Sequence, residues 1–314
     1  MNEQSSFFRR LGVFGFDQVE PLILAALVSG DPILLIGKAG TGKTFLLNSI
    51  SEAMGLEHRH YNASFISFDD LVGFPYPSEN RETVSFLQTP ATIWGAESVL
   101  IDEISRCKPE TQNKFFSIIN ERKVQGLELA RLRYRWAAMN PFSSAGDEEG
   151  YEGSQPLDQA LADRFAFIIE VPDWSELTLK DQAAVIDPSG EGALSADEGA
   201  LGRFVERLKP LFSAEIATPS ATVVRYVRYA ATLMTESGFR ISPRRARLLA
   251  RNVIALSVVL RESGTELTEK AWKHLLKLTL TWSLPHRAWR SAPPAHAVDS
   301  VHAEAARLVF EVPP

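Results

Sequence analysis

The sequence predicts an α/β fold in which helices enclose a parallel sheet, followed by an all-α domain. Short, wholly apolar runs, typical of strands buried on both faces, alternate with segments whose apolar residues recur at helical spacing. From about residue 200 to 283 only the helical spacing remains. A chain of 314 residues suffices for one large or two ordinary domains. We therefore expect an αβα sandwich over 1–171 and a helical lid domain with a C-terminal tail over 172–314.

The first domain alternates strands and helices in order. Residues 17–29 have the spacing of a helix, with Asp17 as its cap and Gly30 at its end. The predicted strands are ILLI at 33–36, VLI at 99–101, RYRWAAM at 133–139 and FAFIIEV at 165–171, and the intervening helices are TFLLNSISEAM at 44–54 and PETQNKFFSIIN at 109–120. Residues 62–97 interrupt this alternation and are rich in turn formers. We interpret them as an insertion outside the sheet, containing a hairpin and a short helix.

The second domain is predicted to be helical throughout. Its apolar stripes indicate helices over 219–237, 243–262 and 266–283, with a last short helix over 298–310. A linker-like stretch, IDPSGEGALSADEG, precedes them at 186–199.

Composition excludes several classes of protein. The longest apolar run, LILAALV at 22–28, is too short to span a bilayer, and the N-terminus has no apolar core of signal-peptide length. The single cysteine, Cys107, cannot form an internal disulfide, and we interpret it as a structural thiol. The net charge of −6 disfavours a broad nucleic-acid surface. We expect a cytoplasmic protein without a membrane anchor.

The stretch GKAGTGKT at 37–44 follows the first predicted strand and opens a helix. Its glycines allow successive backbone N–H groups to point at phosphate oxygens, and the helix N-terminus adds positive potential. Lys43 has the position to reach the β- and γ-phosphates, and Thr44 the position to hold Mg²⁺. The sequence predicts an ATP site formed by the residues of this loop and the first helical turn: Gly37, Lys38, Ala39, Gly40, Thr41, Gly42, Lys43, Thr44 and Phe45.

Polar residues at the ends of later strands complete a hydrolytic site. In VLIDE, Asp102 is placed to bind Mg²⁺ through water, and Glu103 to orient or deprotonate an attacking water. In AAMNP, Asn140 ends another strand, where its amide can hold the water or the γ-phosphate. A glutamate at position 103 favours a hydrolase over a nucleotide kinase, because a kinase needs no such base.

Two arginines break a local rule at the start of a predicted helix. Ser242 is a candidate N-cap with Pro243 at the first helical position, so Arg244 and Arg245 occupy the first turn, where the helix dipole repels cations. A bound phosphate would relieve that conflict for Arg244. We expect Arg245 to be solvated.

The motifs GKAGTGKT, VLIDE, AAMNP, LADRF and SPR, in this order, resemble those of AAA+ ATPases. The chain is more closely similar to the MoxR branch, which has a DLVGF-like stretch, here at 70–74. That branch also has an inserted hairpin before the motif that corresponds to VLIDE here. MoxR proteins also carry a helix of the form QNxxxxxxxERxV, here Gln112, Asn113, Glu121, Arg122 and Val124. The sequence departs from the family at Lys38 and Ala39, where proline is common, and in the tail after 285.

The resemblance implies roles for the candidate residues. Lys43 and Thr44 correspond to Walker A, Asp102 and Glu103 to Walker B, and Asn140 to sensor 1. Arg244 corresponds to sensor 2, contacting phosphate within its own subunit. Arg164 of LADRF corresponds to the arginine finger, which reaches the ATP of a neighbouring subunit and accelerates hydrolysis roughly 10³–10⁵-fold in other nucleotidases.

The resemblance further implies a homo-oligomeric ring, usually a hexamer, that uses Mg²⁺ and ATP to remodel a client or adaptor protein, in many members one with a von Willebrand A domain. Two alternatives stay open. One is a scaffold whose assembly is gated by nucleotide with little turnover, which Glu103, Asn140 and Arg164 argue against. The other is the ATPase subunit of a nucleic-acid motor or restriction system, which the acidic balance disfavours.

Other chemistry-bearing residues have plainer interpretations. His58 and His60 alternate on a predicted strand without further ligands at metal-site spacing, so we expect no metal there. The aromatic residues of the insertion could grip a client, but we expect most of them to pack the hairpin onto the core: Phe65, Phe68, Phe74, Tyr76 and Phe86.

Overall fold

The computed structural model describes residues 6–79, 84–107, 109–142, 153–187 and 197–312. Most of the linker-like stretch predicted at 186–199 lies outside these ranges. Among the described residues, no helix combines the length and apolarity needed to cross a bilayer.

The chain folds into twelve described helices and nine described strands. The strands are β1 Ile33–Ile36, β2 His58–Asn62, β3 Pro75–Pro77, β4 Val84–Phe86, β5 Ser98–Asp102, β6 Lys123–Val124, β7 Leu127–Glu128, β8 Tyr134–Met139 and β9 Phe167–Glu170. The helices are α1 Phe7–Arg10, α2 Glu20–Ser29, α3 Lys43–Ala53, α4 Phe68–Val72, α5 Pro109–Glu121, α6 Gln159–Ala162, α7 Leu179–Ile186, α8 Ala200–Ala217, α9 Ala221–Glu236, α10 Pro243–Glu262, α11 Glu269–Trp282 and α12 Ala295–Phe310.

Five strands form one parallel sheet in the order β2-β5-β8-β1-β9, which confirms the predicted fold class. Strand β1 is wholly apolar and buried because helices cover both faces of the sheet. Ile36, its last residue, is in register with Met139 of β8 and Glu170 of β9. The segments that follow these strands therefore meet at one edge of the sheet, as ligand-binding loops do in open α/β folds.

Helix α2 begins later than predicted. Its N-cap is Val19, without a side-chain cap, and Pro21 lies in its first turn. Asp17 instead accepts two hydrogen bonds from the guanidinium of Arg9, at 2.8 and 2.6 Å. The charged group of Arg9 is a stronger partner for the carboxylate than a backbone N–H. The predicted end of the helix is confirmed, because Gly30 takes the left-handed conformation with φ 65°.

The insertion contains helix α4 and an antiparallel hairpin of β3 and β4. Gly73 allows its base to close, since a Cβ there would lie 2.0 Å from the carbonyl oxygen of Leu87. The prediction that its aromatic residues mostly pack inward is wrong for Phe65, Phe74 and Tyr76, which are 85%, 61% and 49% exposed. Phe86 is half-buried and packs on Trp94, with ring centroids 6.0 Å apart; the side chain of residue 68 is outside the described part.

Helices α8 to α12 form the helical region, which packs on the sheet domain through α2. Helix α10 runs along α2, and its Arg251 forms a two-pronged ion pair with Asp31 at 2.8 and 3.2 Å. The apolar residues of α2, α8, α10 and α11 merge with one face of the sheet into a single core. A second core, on the opposite face, includes Phe115 and Ile119 of α5. This packing fixes where the helical region can place its side chains relative to the strand ends.

Candidate active site

The glycine-rich loop joins β1 to α3 and is shaped as an anion cradle. Gly40 and Gly42 have φ of 81° and 83°, the left-handed region that glycine adopts without strain. A Cβ on Gly37 would lie 2.3 Å from Cγ2 of Val171, so glycine is required there for close packing. The loop leads directly into the N-terminus of α3, so its backbone N–H groups and the helix dipole both favour an anion.

Lys43, the first residue of α3, is folded back over this loop. Its side chain is nearly buried, at 6% exposure. Its Nζ donates to the carbonyl oxygens of Gly37 and Lys38 at 2.7 and 2.8 Å, and to Oδ1 of Asn140 at 3.2 Å. Burial lowers the pKa of the ammonium, against the attraction of Asp102 and Glu103. The charge is therefore held in place, ready to be compensated by a phosphate.

Thr44 and Asp102 form the candidate metal centre. The Thr44 hydroxyl donates to Oδ2 of Asp102 at 2.8 Å, and the backbone N–H of Glu103 donates to Oδ1 at 2.9 Å. Burial by itself would raise the pKa of Asp102, but hydrogen bonds from His60 and Thr44 outweigh it and the pKa lies below its ordinary value. An ionised carboxylate beside a hydroxyl suits a hard cation such as Mg²⁺, so these residues fit the predicted metal.

Glu103 and Asn140 extend the same network. The amide nitrogen of Asn140 donates to Oε1 of Glu103 at 3.2 Å, while Arg106 lies 3.1 Å from Oε2. Glu103 has φ 54°, a conformation that costs energy for a residue with a side chain. This turn directs the carboxylate away from the strand axis and toward Asn140. The amide of Asn140 therefore bridges the ammonium of Lys43 and the carboxylate of Glu103.

A recess of about 340 Å³, lined partly by aromatic rings, borders residues 39–42 of the glycine-rich loop. Its lining includes the rings of Phe16, Phe45 and Trp174. A planar heterocycle stacks well on such rings. Of these three rings only Phe45 was among the predicted binding residues; Phe16 and Trp174 come from segments that carry no motif.

Arg164 and Arg244 lie together, away from the loop. Arg164 lies over the ring of Phe116, with its guanidinium carbon 4.4 Å from the centroid, and donates to the carbonyl of Ala160 at 2.5 Å. Arg244 lies 3.6 Å from a carboxylate oxygen of Asp163. The pKa of Arg164 is lowered first by burial and then by the neighbouring charge of Arg244.

This arginine pair is at the amino end of the strands. Ala166, just before β9, donates its N–H to Pro32 just before β1 at 2.7 Å, and Arg245 donates to the carbonyl of Ala166 at 3.1 Å. The glycine-rich loop follows the opposite end of β1, about 10 Å further along at 3.3 Å per residue. The helix of Arg244 is anchored at the far edge of the sheet, so this placement does not support the predicted contact of Arg244 with phosphate within its own subunit, which stays a prediction.

The prediction for Arg245 is wrong. Its side chain is buried, at 1% exposure, and donates to Asp163 and to three backbone carbonyls. The N-cap prediction is confirmed, since Ser242 accepts from the N–H of Arg245 at 3.0 Å, and its hydroxyl donates to Asp163 at 2.7 Å. Asp163 thus compensates the two cations that the helix dipole disfavours. Sequence reasoning missed it because it precedes Arg245 by 82 residues.

His60 is a further residue that the sequence did not single out for this site. Its Nε2 lies 3.3 Å from Oδ2 of Asp102. His58 and His60 are two residues apart on β2, so they lie on the same face of the strand, and His60 is the one nearer to the strand's carboxyl end. His58 lies between Ser98 and Asn48 and makes no contact of this kind.

Part of the chain is similar in sequence to a known domain family. Residues 32–165 match the family model of the AAA domain, dynein-related subfamily. This stretch is similar in sequence to that domain. The whole chain superimposes on a crystal structure of a candidate ATPase from Cytophaga hutchinsonii, at 18% identity and a TM-score of 0.64, covering 96% of this chain and 92% of that one. At this identity the likeness shows the fold alone, a parallel sheet enclosed by helices and followed by a helical region. A search of curated proteins found no match.

Proposed function

We propose that this protein is an ATPase. Its glycine-rich loop at 37–44, from here on the P-loop, binds Mg²⁺–ATP, and Glu103 acts as the general base in hydrolysis. The observation that carries the proposal is the continuous polar network from Lys43 through Asn140 to Glu103, beside the pair formed by Thr44 and Asp102. A chance strand-to-helix turn would not bring a buried ammonium, an amide and a carboxylate from three strand ends into contact. The AAA domain match supports the same reaction class.

The residues divide the chemistry among them. Mg²⁺, held by Thr44 and Asp102 with the nucleotide, supplies charge neutralisation on the phosphates. Lys43 leaves its carbonyl partners to contact the β- and γ-phosphates. Glu103 orients the attacking water and accepts its proton, and Asn140 fixes the carboxylate and the water relative to the γ-phosphate.

We further propose that Arg164 and Arg244 act on the ATP of a neighbouring subunit. Both lie at the edge of the sheet opposite their own P-loop, so neither completes the site of its own chain. A ring, in which every P-loop meets the arginine pair of the next chain, satisfies this geometry with identical interfaces. This supports the MoxR-like hexameric machine that acts on a client protein. The exposed Phe65, Phe74 and Tyr76 of the insertion are its candidate contacts with that client.

The first test is the ATPase rate per subunit as a function of protein concentration. For the wild type we expect a steep rise with concentration, because the active site forms only at an interface. Arg164→Ala and Arg244→Ala should lose most of the rate while nucleotide still binds. The matched control is Arg228→Ala, an exposed arginine of α9 that should leave the rate unchanged. A flat concentration profile with an unaffected Arg164→Ala variant would overturn the ring proposal and leave ATP hydrolysis intact.

A mixing experiment separates action within a chain from action across an interface. Glu103→Gln and Arg164→Ala should each be inactive alone. When the two are mixed equally and at random, about a quarter of the interfaces combine an intact Glu103 with an intact Arg164 from the next chain. We expect activity to return to about that fraction of the wild-type rate. No recovery from a mixture that forms rings would place both residues in one chain's site.

A further inference from the structure

A large cavity of about 810 Å³ lies over the carboxyl ends of β1, β8 and β9. Gly37 and Lys38 of the P-loop line one side of it, and Phe142, two residues after Asn140, lines the end of β8. Arg287 and Arg290, from the segment that follows α11, line the opposite side. The helical region therefore reaches the P-loop of its own chain through this segment and not through α10.

The charges that line this cavity are nearly all compensated. Each cation but one has a carboxylate partner, and the pairs are Arg9 with Asp17 at 2.6 Å and with Asp181 at 2.5 Å, Lys38 with Asp173 at 3.2 Å, and Arg287 with Glu170 at 3.2 Å. The remaining lining carboxylate, Glu176, accepts the backbone N–H of Asp173 at 2.8 Å. Arg290 forms no ion pair with any residue that the structure describes, and its Nε is buried without a hydrogen-bond partner.

Aromatic rings hold the Arg290 side chain in place. Its guanidinium carbon lies 4.9 Å from the ring centroid of Trp289 and 5.3 Å from that of Phe239. Such contacts orient a guanidinium but leave its N–H groups available. A partly buried cation without a counter-charge is unfavourable, so the site is suited to take up an anion.

We infer that Arg290 contacts the terminal phosphate of the nucleoside triphosphate bound by the P-loop of the same chain. The inference rests on the proposed function, since the anion it names is the nucleotide. A planar guanidinium matches the oxygens of a phosphate. The γ-phosphate projects from the loop toward the ends of β1 and β8, where Asn140 and the cavity lie. Arg290 thus supplies, within one chain, the cation that the sequence assigned to Arg244.

The test compares nucleotide affinities of Arg290→Gln, which removes the charge and keeps a long side chain, with those of Arg228→Ala. Arg228 is a matched control because it also lies over an aromatic ring, that of Tyr229 at 4.8 Å, but lines none of the cavities described here. The probes are a non-hydrolysable ATP analogue and ADP, measured by calorimetry with Mg²⁺ at protein concentrations below those that support ATPase activity. Circular dichroism and thermal unfolding confirm that each variant is folded.

We expect Arg290→Gln to weaken binding of the ATP analogue roughly tenfold to a hundredfold, the loss typical of one charged hydrogen bond, and to change ADP affinity less than about twofold. Arg290→Lys should recover part of the loss, and Arg228→Ala should match the wild type. Equal affinities for the ATP analogue in Arg290→Gln and wild type would overturn the inference, as would an equal loss for both nucleotides. If the wild type binds neither nucleotide, the proposed function itself fails; if it binds both and Arg290→Gln is unchanged, only the inference fails.

Discussion

Arg245 fastens the helical region to the sheet domain, and its replacement should be the most destabilising single change at that junction. The guanidinium donates to Oδ1 of Asp163 at 3.2 Å and to the carbonyl oxygens of Ala166, Ser283 and Ala162 at 3.1, 2.9 and 3.3 Å. These partners belong to the start of β9, the end of α11 and helix α6. One buried side chain therefore connects three elements.

Arg245→Met keeps most of the side-chain volume but removes every donor. It leaves Asp163 without its buried partner and takes one donor from each of three carbonyls, of which Ala166 keeps Asn252 and Ala162 keeps the N–H of Phe165. Breaking a buried ion pair from one side costs about 3–5 kcal/mol, and we expect the free energy of unfolding to fall by that amount. Arg244→Ala is the matched control: its side chain is 46% exposed and lies 3.6 Å from the same carboxylate, so the loss should be at most about 1 kcal/mol.

Urea unfolding followed by tryptophan fluorescence measures both changes, since Trp282 and Trp289 lie beside this junction. A double-mutant cycle with Asp163→Asn isolates the pair, and we expect a coupling energy of about 2–3 kcal/mol. Midpoints that shift equally for Arg245→Met and Arg244→Ala, or a coupling below about 0.5 kcal/mol, would refute the reasoning. In that case the buried guanidinium would not be what holds the two parts together.

Three further predictions concern the active site and its surroundings. Glu103→Gln should retain ATP binding while the single-turnover hydrolysis rate falls at least about a hundredfold, as expected for a general base; a loss below threefold would remove that role. His60→Ala should raise the Mg²⁺ concentration needed for half-maximal activity by about tenfold, because Asp102 loses a hydrogen bond. Mn²⁺ binding, measured by electron paramagnetic resonance, should weaken by the same factor, and His60→Gln should recover part of the lost affinity. An unchanged metal affinity in His60→Ala would contradict this role. Burial lowers the pKa of His58 to about 4, so the folded state binds a proton there less readily than the unfolded chain does. The free energy of unfolding should therefore be highest above pH 6.5 and fall as the pH approaches 4. At pH 5 the loss should reach about 2 kcal/mol. Urea midpoints at pH 7.5 and 5 should lie closer together in His58→Asn than in the wild type, although burial also lowers the pKa of His286 and His302 to about 4; an unchanged pH dependence would contradict this assignment.

The parts of the fold that the sequence predicted are those set by local pattern. An apolar run of four residues before a glycine-rich loop indicates a buried strand wherever it occurs, and β1 and α3 lie within one residue of their predicted bounds. The network of Lys43, Asp102 and Asn140 follows from the same logic, because parallel strands deliver their carboxyl ends to one edge. The strand and the helix follow from local pattern, and the network needs only the further rule that neighbouring parallel strands end together.

The side chains that the sequence misjudged are those whose surroundings come from far along the chain. The first turn of α10 carries a visible conflict between cations and the helix dipole, but the pattern does not say that Asp163 resolves it. Which arginine of the helical region lines the cavity beside the P-loop depends on the packing of α10 against α2. Arg290 has no motif around it, and only the folded chain shows that it faces the strand ends without a carboxylate partner.

The arrangement of the arginines bears on how a ring of such chains would work. Within one chain, Arg290 faces the chain's own P-loop, whereas Arg164 and Arg244 lie at the opposite edge of the sheet, where a neighbour's nucleotide would meet them. Arg245 connects these two groups of arginines. It donates hydrogen bonds to Asp163, which lies beside Arg164 and Arg244, and to Ser283 at the end of α11. Ser283 precedes Arg290 by seven residues. In the proposed ring, the helical region would therefore lie between two nucleotides. On this reasoning Arg245→Met, even where it still folds, should lower the dependence of the ATPase rate on neighbouring subunits more than it lowers nucleotide binding. Equal losses in both would mean that the junction serves stability alone.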